Sequence, residues 1–307
     1  MRTFIFVLCV LWGSVSYAQS SNFQIYSASG EKISLDALLA RFHEVEVVFI
    51  GEMHNDSVGH VVEYTLLKEA HRQLVTPDST LRRPIALSLE MFERDVQLVL
   101  DEYLQGLIRE KDFLRDSRPW RNYHTDYRPM VEYARQHKFP VLAANAPQRY
   151  VSLVSRKGLS ALESLSYQAR TFLPPLPFAA SSERYAQKFR RQMQEMMRAM
   201  LPDSLKSDSV HVQAMPHGNP YMLEGQTLRD ASMAYTLATF LMKAPHALVI
   251  QVNGAFHSEA GLGIPEHLRQ YRPGTRMLIL TLIPEAHFDS ERMSTLGDYI
   301  ILTGLQK

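Results

Sequence analysis

The chain has 307 residues, 46% of them hydrophobic, with a formal net charge of +1 and a single cysteine. The balanced charge argues against a nucleic-acid-binding protein, which would show a basic excess or a basic stripe. A chain of this length and apolar content is sufficient for one large α/β domain, with or without an insertion.

The first 18 residues are predicted to be a secretory signal that is removed from the mature chain. Arg2 supplies the positive start, residues 4–12 form the apolar centre, and residues 16–18 (Ser-Tyr-Ala) provide a small-x-small cleavage site. The apolar run is too short for a membrane span, which needs about 20 such residues. We therefore expect an exported protein, in the bacterial periplasm or associated with the outer membrane.

Removal of this signal leaves residues 19–307 without a thiol, because Cys9 is the one cysteine of the chain. Disulfides, thiolate metal sites and a cysteine nucleophile are thereby excluded. Cys9 as a lipid anchor is disfavoured, since Leu8 is large where lipoprotein processing usually needs a small side chain. The loss of Arg2 leaves 32 basic and 32 acidic residues, hence a net charge of zero.

Six short segments are predicted to be strands that are covered on both faces, as in parallel sheets. Each is rich in Val, Ile or Leu and is nearly continuous in its apolar character. They are residues 47–50, 84–90, 140–144, 247–252, 276–282 and 298–303.

Helical patterns lie between these strands. They run from Asp56 or Ser57 to about Gln73, from a cap at Asp95 to just before Gly106, over residues 127–137 and over residues 227–242. This alternation predicts an α/β fold with a mainly parallel central sheet flanked by helices.

Residues from about 148 to 225 contain no strand pattern and are predicted to be an inserted helical subdomain. A stiff Pro-rich break at residues 172–178 precedes a helix with an apolar stripe. The stripe consists of Tyr185, Phe189, Met193, Met197 and Met200. It is interpreted either as ordinary packing, for which Met is well suited, or as an adaptable apolar wall for a flat hydrophobic ligand.

Polar side chains follow four of the predicted strands. Gly51–His54 comes after the first, Glu90 ends the second, Asn145 ends the third, and Asn253–His257 follows the fourth. Ligands of open parallel sheets bind outside the carboxyl ends of the strands. We therefore expect these side chains to converge on a single site.

Two Gly-x-x-His motifs, Gly51–His54 and Gly254–His257, each directly follow a predicted strand. Glycine allows a sharp turn or a close backbone approach, and imidazole is a common metal ligand, although each histidine alone is equally consistent with a structural role. Glu90 ends an apolar strand, where an unpaired carboxylate is costly, so a cation or a donor network is expected beside it. The predicted metal ligands are His54, His257, Glu90 and His60, and the predicted catalytic residues, if the protein is a hydrolase, are Glu52 and Glu90.

An aromatic segment, residues 119–134, forms a second concentration of functional side chains just before a helix. Tyr and His can ligate haem iron, and aromatic rings can stack on a porphyrin. The predicted residues for haem or another ligand are Tyr123, His124, Tyr127, Asn145 and Asn253. The alternative is an aromatic hydrophobic patch between two helices.

The sequence also resembles a known family, and six segments carry the resemblance in the family's order. They are "GEMHNDSVGH", "LSLEMFERDVQLVLDEYLQG", "WRNYHTDYRPMVEYA", "VLAANAPQRYVSLVSRKGLSAL", "LRDASMAY" and "VNGAFHSEAGLGIPEHL". Over about residues 45–303 the chain resembles the ChaN-like haem-binding uptake family. That family belongs to the Tiki/TraB superfamily and shares a fold with the erythromycin esterases.

The resemblance implies an α/β domain with a helical subdomain and an exported protein that takes part in haem or iron acquisition. It implies haem as the cofactor, a homodimer that holds haem between its subunits, and outer-membrane uptake machinery as a partner. The superfamily pattern is matched here by Glu52, His54, His60, Glu90 and His257. In the Tiki proteases, matching positions serve a divalent metal and hydrolysis.

The sequence is therefore consistent with three functions. The first is a haem- or iron-binding envelope protein. The second is a divalent-metal-dependent hydrolase, a peptidase or esterase that uses Mn, Co or Zn at the paired Gly-x-x-His motifs. The third is a binding scaffold in which the polar groups at the strand ends only hydrogen-bond one another.

Overall fold

The computed structural model describes residues 22–75, 83–200 and 220–305, so the predicted signal at residues 1–18 lies outside the described residues. The described residues form one eight-stranded sheet with helices on both of its faces. Within these ranges, none of the helices combines the length and the apolar character that a membrane crossing requires.

The strands are β1 (Gln24–Ser27), β2 (Lys32–Ile33), β3 (Val47–Glu52), β4 (Ile85–Glu93), β5 (Val141–Asn145), β6 (Leu248–Gly254), β7 (Met277–Ile283) and β8 (Tyr299–Leu302). Their order in the sheet is β2-β1-β8-β7-β3-β6-β4-β5. Strands β3 to β8 are parallel to one another, whereas β1 is antiparallel to both of its neighbours, β2 and β8. The predicted α/β fold with a mainly parallel sheet is confirmed, and β3 lies in its middle.

The helices are α1 (Leu35–Phe42), α2 (Ser57–Leu74), α3 (Gln97–Leu104), α4 (Glu110–Ser117), α5 (Arg128–His137), α6 (Gln148–Lys157), α7 (Tyr167–Arg170), α8 (Glu183–Met200), α9 (Met222–Lys243), α10 (Ile264–Tyr271) and α11 (Ser290–Met293). A π-helical turn, Tyr123–Tyr127, precedes α5. Asp56 caps α2 as predicted, because its carboxylate accepts a hydrogen bond from the backbone N–H of Val58.

The prediction that Asp95 caps the second helix is wrong. A 3₁₀ turn, Arg94–Val96, comes first, and α3 then begins without any side-chain cap. The carboxylate of Asp95 instead binds two guanidinium groups, with Arg118 on one oxygen and Arg149 on the other. Because arginines engage both of its oxygens, Asp95 connects the turn before α3 to Arg118, which follows α4, and to Arg149 of α6.

Alternate residues of β3 face opposite sides of the sheet, which explains why the whole strand is apolar. Val48 and Ile50 pack with α1, α2 and α5 in one core cluster. Val47 and Phe49 pack with α9 and α10 in a second core cluster. Both faces of β3 are therefore covered, and its carboxyl end reaches the surface between the two helical layers.

The described residues between β5 and β6 contain helices and loops and no strand. This region includes α6, α7 and α8, and α9 then returns to the sheet. The apolar stripe predicted on α8 packs at its beginning, where Tyr185 is buried and lies 5.1 Å from the ring of Phe256. Farther along, Met200 is 71% exposed, so the stripe leaves the main domain towards its end.

Candidate functional site

The carboxyl ends of the central strands lie side by side at one edge of the sheet. Glu52, the last residue of β3, pairs in register with Gly254 of β6, and β4, which carries Glu90, lies on the other side of β6. A cavity of about 400 Å³ opens there, and His54, Glu90 and His257 all contribute to its wall. Of the side chains that were expected to converge, His54, Glu90, Asn145 and His257 line this one cavity.

The two Gly-x-x-His motifs contact each other through their glycines. A Cβ atom on residue 51 would lie 3.0 Å from the Cα atom of Ala255, and a Cβ atom on residue 254 would lie 2.9 Å from Cε1 of His54. Each glycine thus leaves room for the other motif. This reciprocal close approach gives a physical reason for the glycine in both motifs.

Each of the two histidines is held by a carboxylate at Nδ1. His54 Nδ1 lies 2.8 Å from Glu52 Oε1, and His257 Nδ1 lies 2.6 Å from Asp230 Oδ1. On the other side of its ring, His257 Nε2 is 3.6 Å from Glu90 Oε1. A carboxylate at one ring nitrogen orients the other nitrogen for metal binding, and this arrangement is common around bound metals.

The neighbouring carboxylates also favour the charged form of both imidazoles. Burial lowers the pKa of His54, but its hydrogen bond to Glu52 and the charge of Glu90 outweigh that effect and raise the pKa above the usual value. Burial likewise lowers the pKa of His257, and the charges of Glu90 and Asp230 raise it on balance. A proton therefore competes with any metal or iron atom for these nitrogens.

Glu52 connects the cavity to a second, fully buried group of side chains. Its Oε1 accepts hydrogen bonds from Tyr127 at 2.5 Å and from His54, while its Oε2 lies 3.1 Å from Nδ1 of His60. Burial raises the pKa of Glu52, but hydrogen bonds with His54 and His60 outweigh this and hold the pKa well below the usual range. The carboxylate of Glu52 is thus ionised, and it contacts His54 and Tyr127 through one oxygen and His60 through the other.

His60 lies in this buried group and also contacts Glu63, whose Oε2 is 3.0 Å from its Nδ1. Burial lowers the pKa of His60, yet hydrogen bonds to Glu52 and Glu63 raise it to about 11. Burial and the charge of Glu52 raise the pKa of Glu63 well above its usual value. Suitable ligand atoms of Glu52, His60 and Glu63 all lie within 4.8 Å of one another, which is close enough for a shared metal ion.

The buried side chains of the aromatic segment, residues 119–134, pack in the core and offer no accessible ligand atoms to the cavity. Tyr123 and Tyr127 are each 1% exposed, so neither phenol oxygen faces the cavity in this conformation. His124 is exposed but is not part of the cavity wall. Trp120 does line the cavity, and its ring centroid is 4.5 Å from that of His54.

The two predicted asparagines differ in position. Asn145 lines the cavity and is 3% exposed. Asn253 is fully buried, and its amide donates hydrogen bonds to Ser258 Oγ and to the carbonyl of Gly254. Asn253 therefore stabilises the turn that carries the second motif instead of facing a ligand.

Sequence reasoning missed Asp230, Glu63 and two arginines of the cavity wall. Arg118 is paired with Glu93 and Asp95, whereas Arg229 bonds the neutral amide oxygen of Gln148. Each of these residues lies on a helix or in a loop and not at the end of a strand. The signal that was available for Asp230 is an acid in the segment "LRDASMAY", next to the part of α9 that is apolar nearly all round.

Comparison with protein families gives a match over residues 38–268 to a family described as haem-binding uptake, Tiki superfamily, ChaN. The chain belongs to this family. A solved structure described as cofacial haem binding to ChaN of Campylobacter jejuni superposes with a TM-score of 0.63 at 15% identity, and the match covers 91% of this chain and 96% of that one. At that identity the likeness shows a shared fold.

Two further proteins are also similar to this chain. An erythromycin esterase mutant, EreC in its open conformation, gives a TM-score of 0.46 at 11% identity over 90% of this chain and 81% of that one. The protein RETICULATA-RELATED 5, chloroplastic, of Arabidopsis thaliana is 21% identical over 302 residues. That match covers 90% of this chain, which spans 37% of the length of the Arabidopsis protein.

Proposed function

We propose that the protein binds haem at the carboxyl edge of the sheet and that His54 is the iron ligand. Membership of a haem-binding family supports haem as the ligand. The structural observation that supports the proposal most strongly is the environment of His54. Its Nδ1 is engaged by Glu52, its side chain is 47% exposed, and it lines the cavity. Histidine with a carboxylate behind it is a common ligand of haem and other metals.

Other groups of the cavity wall suit the remaining parts of a haem molecule. The indole of Trp120 offers an apolar face beside His54, and aromatic rings stack on flat macrocycles. The guanidinium group of Arg229 suits a propionate carboxylate, because arginine forms strong charge-assisted hydrogen bonds with carboxylates. Arg229 has a neutral partner in Gln148, so its charge is available to an anion.

The wider role in the same proposal is haem or iron acquisition by an exported protein. The signal pattern of residues 1–18 and the family description support it. We also propose a homodimer and an outer-membrane uptake partner. Cell fractionation tests the location, because a protein that stays with the cytoplasmic fraction would exclude a periplasmic role.

A hemin titration of the purified protein tests the binding site directly. We expect wild-type protein to shift the Soret band and to saturate at a fixed ratio. The variant His54→Ala should weaken binding by about tenfold or more, since it removes the ligand. His124→Ala is the matched control, because His124 is exposed and does not line the cavity. An unchanged spectrum and affinity in His54→Ala would remove the proposal.

A divalent-metal-dependent hydrolase is the second candidate, and the Asp230–His257 pair favours it. His257 Nε2 faces Glu90, and His54 lines the same cavity, so a Mn, Co or Zn ion there would activate water while Glu52 or Glu90 transfers a proton. Among the described residues, however, these cavity ligands do not form a group within 4.8 Å, so they would have to move closer to share one ion. Metal-dependent cleavage of an ester or peptide that Glu90→Gln abolishes would support this candidate.

A further inference from the structure

Three buried side chains beneath the cavity form a cluster whose polar atoms are incompletely satisfied. Glu52, His60 and Glu63 have side chains that are 2%, 3% and 0% exposed. The one N–H that His60 Nδ1 can carry is directed at Glu63 Oε2, so Glu52 Oε2, 3.1 Å from the same nitrogen, is left without a well-directed hydrogen bond, and Glu63 Oε1 has no partner; both oxygens are buried. A buried carboxylate oxygen without a partner costs free energy, so the cluster lacks one further positive or donor group beyond the imidazole of His60.

The orientation of His60 shows where that partner belongs. Its Nε2 lies 3.2 Å from the carbonyl oxygen of His54, which can only accept, so Nε2 carries the hydrogen. Nδ1 therefore faces the two carboxylates, with Glu63 Oε2 at 3.0 Å and Glu52 Oε2 at 3.1 Å. A lone pair at Nδ1 would face two negative oxygens, and a single N–H there can be directed at only one of them.

We infer that Glu52, His60 and Glu63 bind a divalent transition-metal ion between His60 Nδ1 and the two carboxylates. Two ligands about 2.1 Å from an ion lie about 3.0 Å apart in octahedral geometry and about 3.4 Å apart in tetrahedral geometry, so the separations of 3.0 and 3.1 Å in the cluster are of the size that a shared ion requires. Imidazole with two carboxylates is a ligand set that suits zinc, manganese and iron. The hydrogen bond from Nε2 to a backbone carbonyl is the support that ligating histidines usually have.

The charges of the cluster agree with this assignment. The ion would displace the protons of Glu63 and of His60 Nδ1 into solvent. The two carboxylates and one divalent ion would then have no net charge, which removes much of the cost of burying the carboxylates. Asp126 adds negative charge nearby, with Oδ2 at 3.6 Å from His60 Nε2, on the side away from the proposed ion. The polarised imidazole is then a stronger ligand, as in other carboxylate-supported metal sites.

This metal site is distinct from the proposed haem site, although Glu52 touches both. Glu52 uses Oε1 for His54 and Tyr127, and it uses Oε2 for the ion. An ion at Oε2 would fix the carboxylate and thereby the ring of His54. The ion would act as a structural support beneath the cavity, whether or not haem is the ligand above it.

Titration of chelator-treated full-length protein with Zn²⁺, followed by calorimetry, tests the inference. We expect one ion per chain and a loss of affinity of about tenfold or more in Glu63→Gln. Glu90→Gln is the matched comparison, because it removes a carboxylate of the cavity and leaves the buried cluster intact. Absence of zinc binding by the wild-type protein would overturn the inference, as would loss of binding in Glu90→Gln with retention in Glu63→Gln.

A second measurement covers the case in which Glu63→Gln does not fold. Anomalous diffraction from wild-type crystals soaked in Zn²⁺ should give a peak within bonding distance of His60 Nδ1. A peak only at His257 and Glu90, or none in the protein, would refute the buried site. Hemin titration of the same preparations reports on the cavity separately, so that failure of either proposal is recognisable.

Discussion

Two buried tyrosines of the same π-helical turn offer a matched pair for testing the site geometry. Tyr123 and Tyr127 begin and end this turn, and both rings are inaccessible to solvent. Their hydroxyl groups differ, because Tyr127 donates to Glu52 at 2.5 Å whereas Tyr123 Oη has no hydrogen-bond partner. Replacing each by phenylalanine removes one oxygen from two otherwise similar positions.

The expected effects on stability have opposite signs. In Tyr127→Phe a hydrogen bond to a carboxylate is lost, which should lower the free energy of unfolding by about 1.5–3 kcal/mol. In Tyr123→Phe an unpaired buried hydroxyl is lost, and relief of its desolvation cost should raise the free energy of unfolding by up to about 1–3 kcal/mol. The two variants should therefore differ by roughly 2–6 kcal/mol.

Urea denaturation followed by circular dichroism measures this difference, provided that the m-values of the two variants agree. Hemin titration of the same variants is the functional control. Both should keep the Soret band of the wild-type protein, because the geometry places neither phenol oxygen in the cavity. Equal stability changes, or a larger loss in Tyr123→Phe, would refute the hydrogen-bond assignment, and a lost Soret band would make a tyrosine the iron ligand.

Three further predictions test other parts of the structure. Gly254→Ala places a Cβ atom 2.9 Å from Cε1 of His54, so hemin titration should show weaker binding in a protein that still folds. Arg83 donates to five backbone carbonyls, which lie at the end of α1 and just before β3 and β6. Arg83→Met should therefore lower the free energy of unfolding by about 2–4 kcal/mol in urea denaturation, whereas Arg72→Met on an exposed surface should change it by less than about 0.5 kcal/mol. Burial lowers the pKa of His267 below 6.5, so its neutral form stabilises the fold above that pH and this contribution is lost as the pH falls. His267→Phe should therefore lose less stability than the wild-type protein between about pH 7 and pH 5 in parallel urea denaturation series, and equal losses would contradict the assignment.

The central strands could be predicted from sequence because burial on both faces leaves a continuous apolar run. The first two strands could not, since β1 has only four residues that are mostly half-exposed and β2 has two. They form because β1 pairs antiparallel with β8, with Ile25 opposite Ile301. This pairing brings together residues from the two ends of the described chain, so a local sequence pattern cannot predict it.

The location of the site followed from topology, but the partners of its histidines did not. The strand-end rule needs only the positions of the strands, and it therefore placed His54 and His257 on one edge. Asp230 and Glu63 lie on helices, where an acidic residue usually indicates a solvated face. Only the tertiary packing of α2 and α9 against the sheet shows that both carboxylates are buried beside an imidazole.

The position of Glu52 makes the cavity and the buried cluster one electrostatic unit. Its two oxygens serve different sides, one towards His54 and one towards His60, and an ionised carboxylate is needed by both. A change at Glu52 would therefore alter both sides at once and could not assign either function. The imidazole of His54 contacts Glu52 at Oε1, and Glu63 contacts His60 on the opposite side of Glu52. A variant at His54 therefore changes the proposed haem site alone, and a variant at Glu63 changes the proposed metal site alone. These two positions can thus separate haem binding from metal binding.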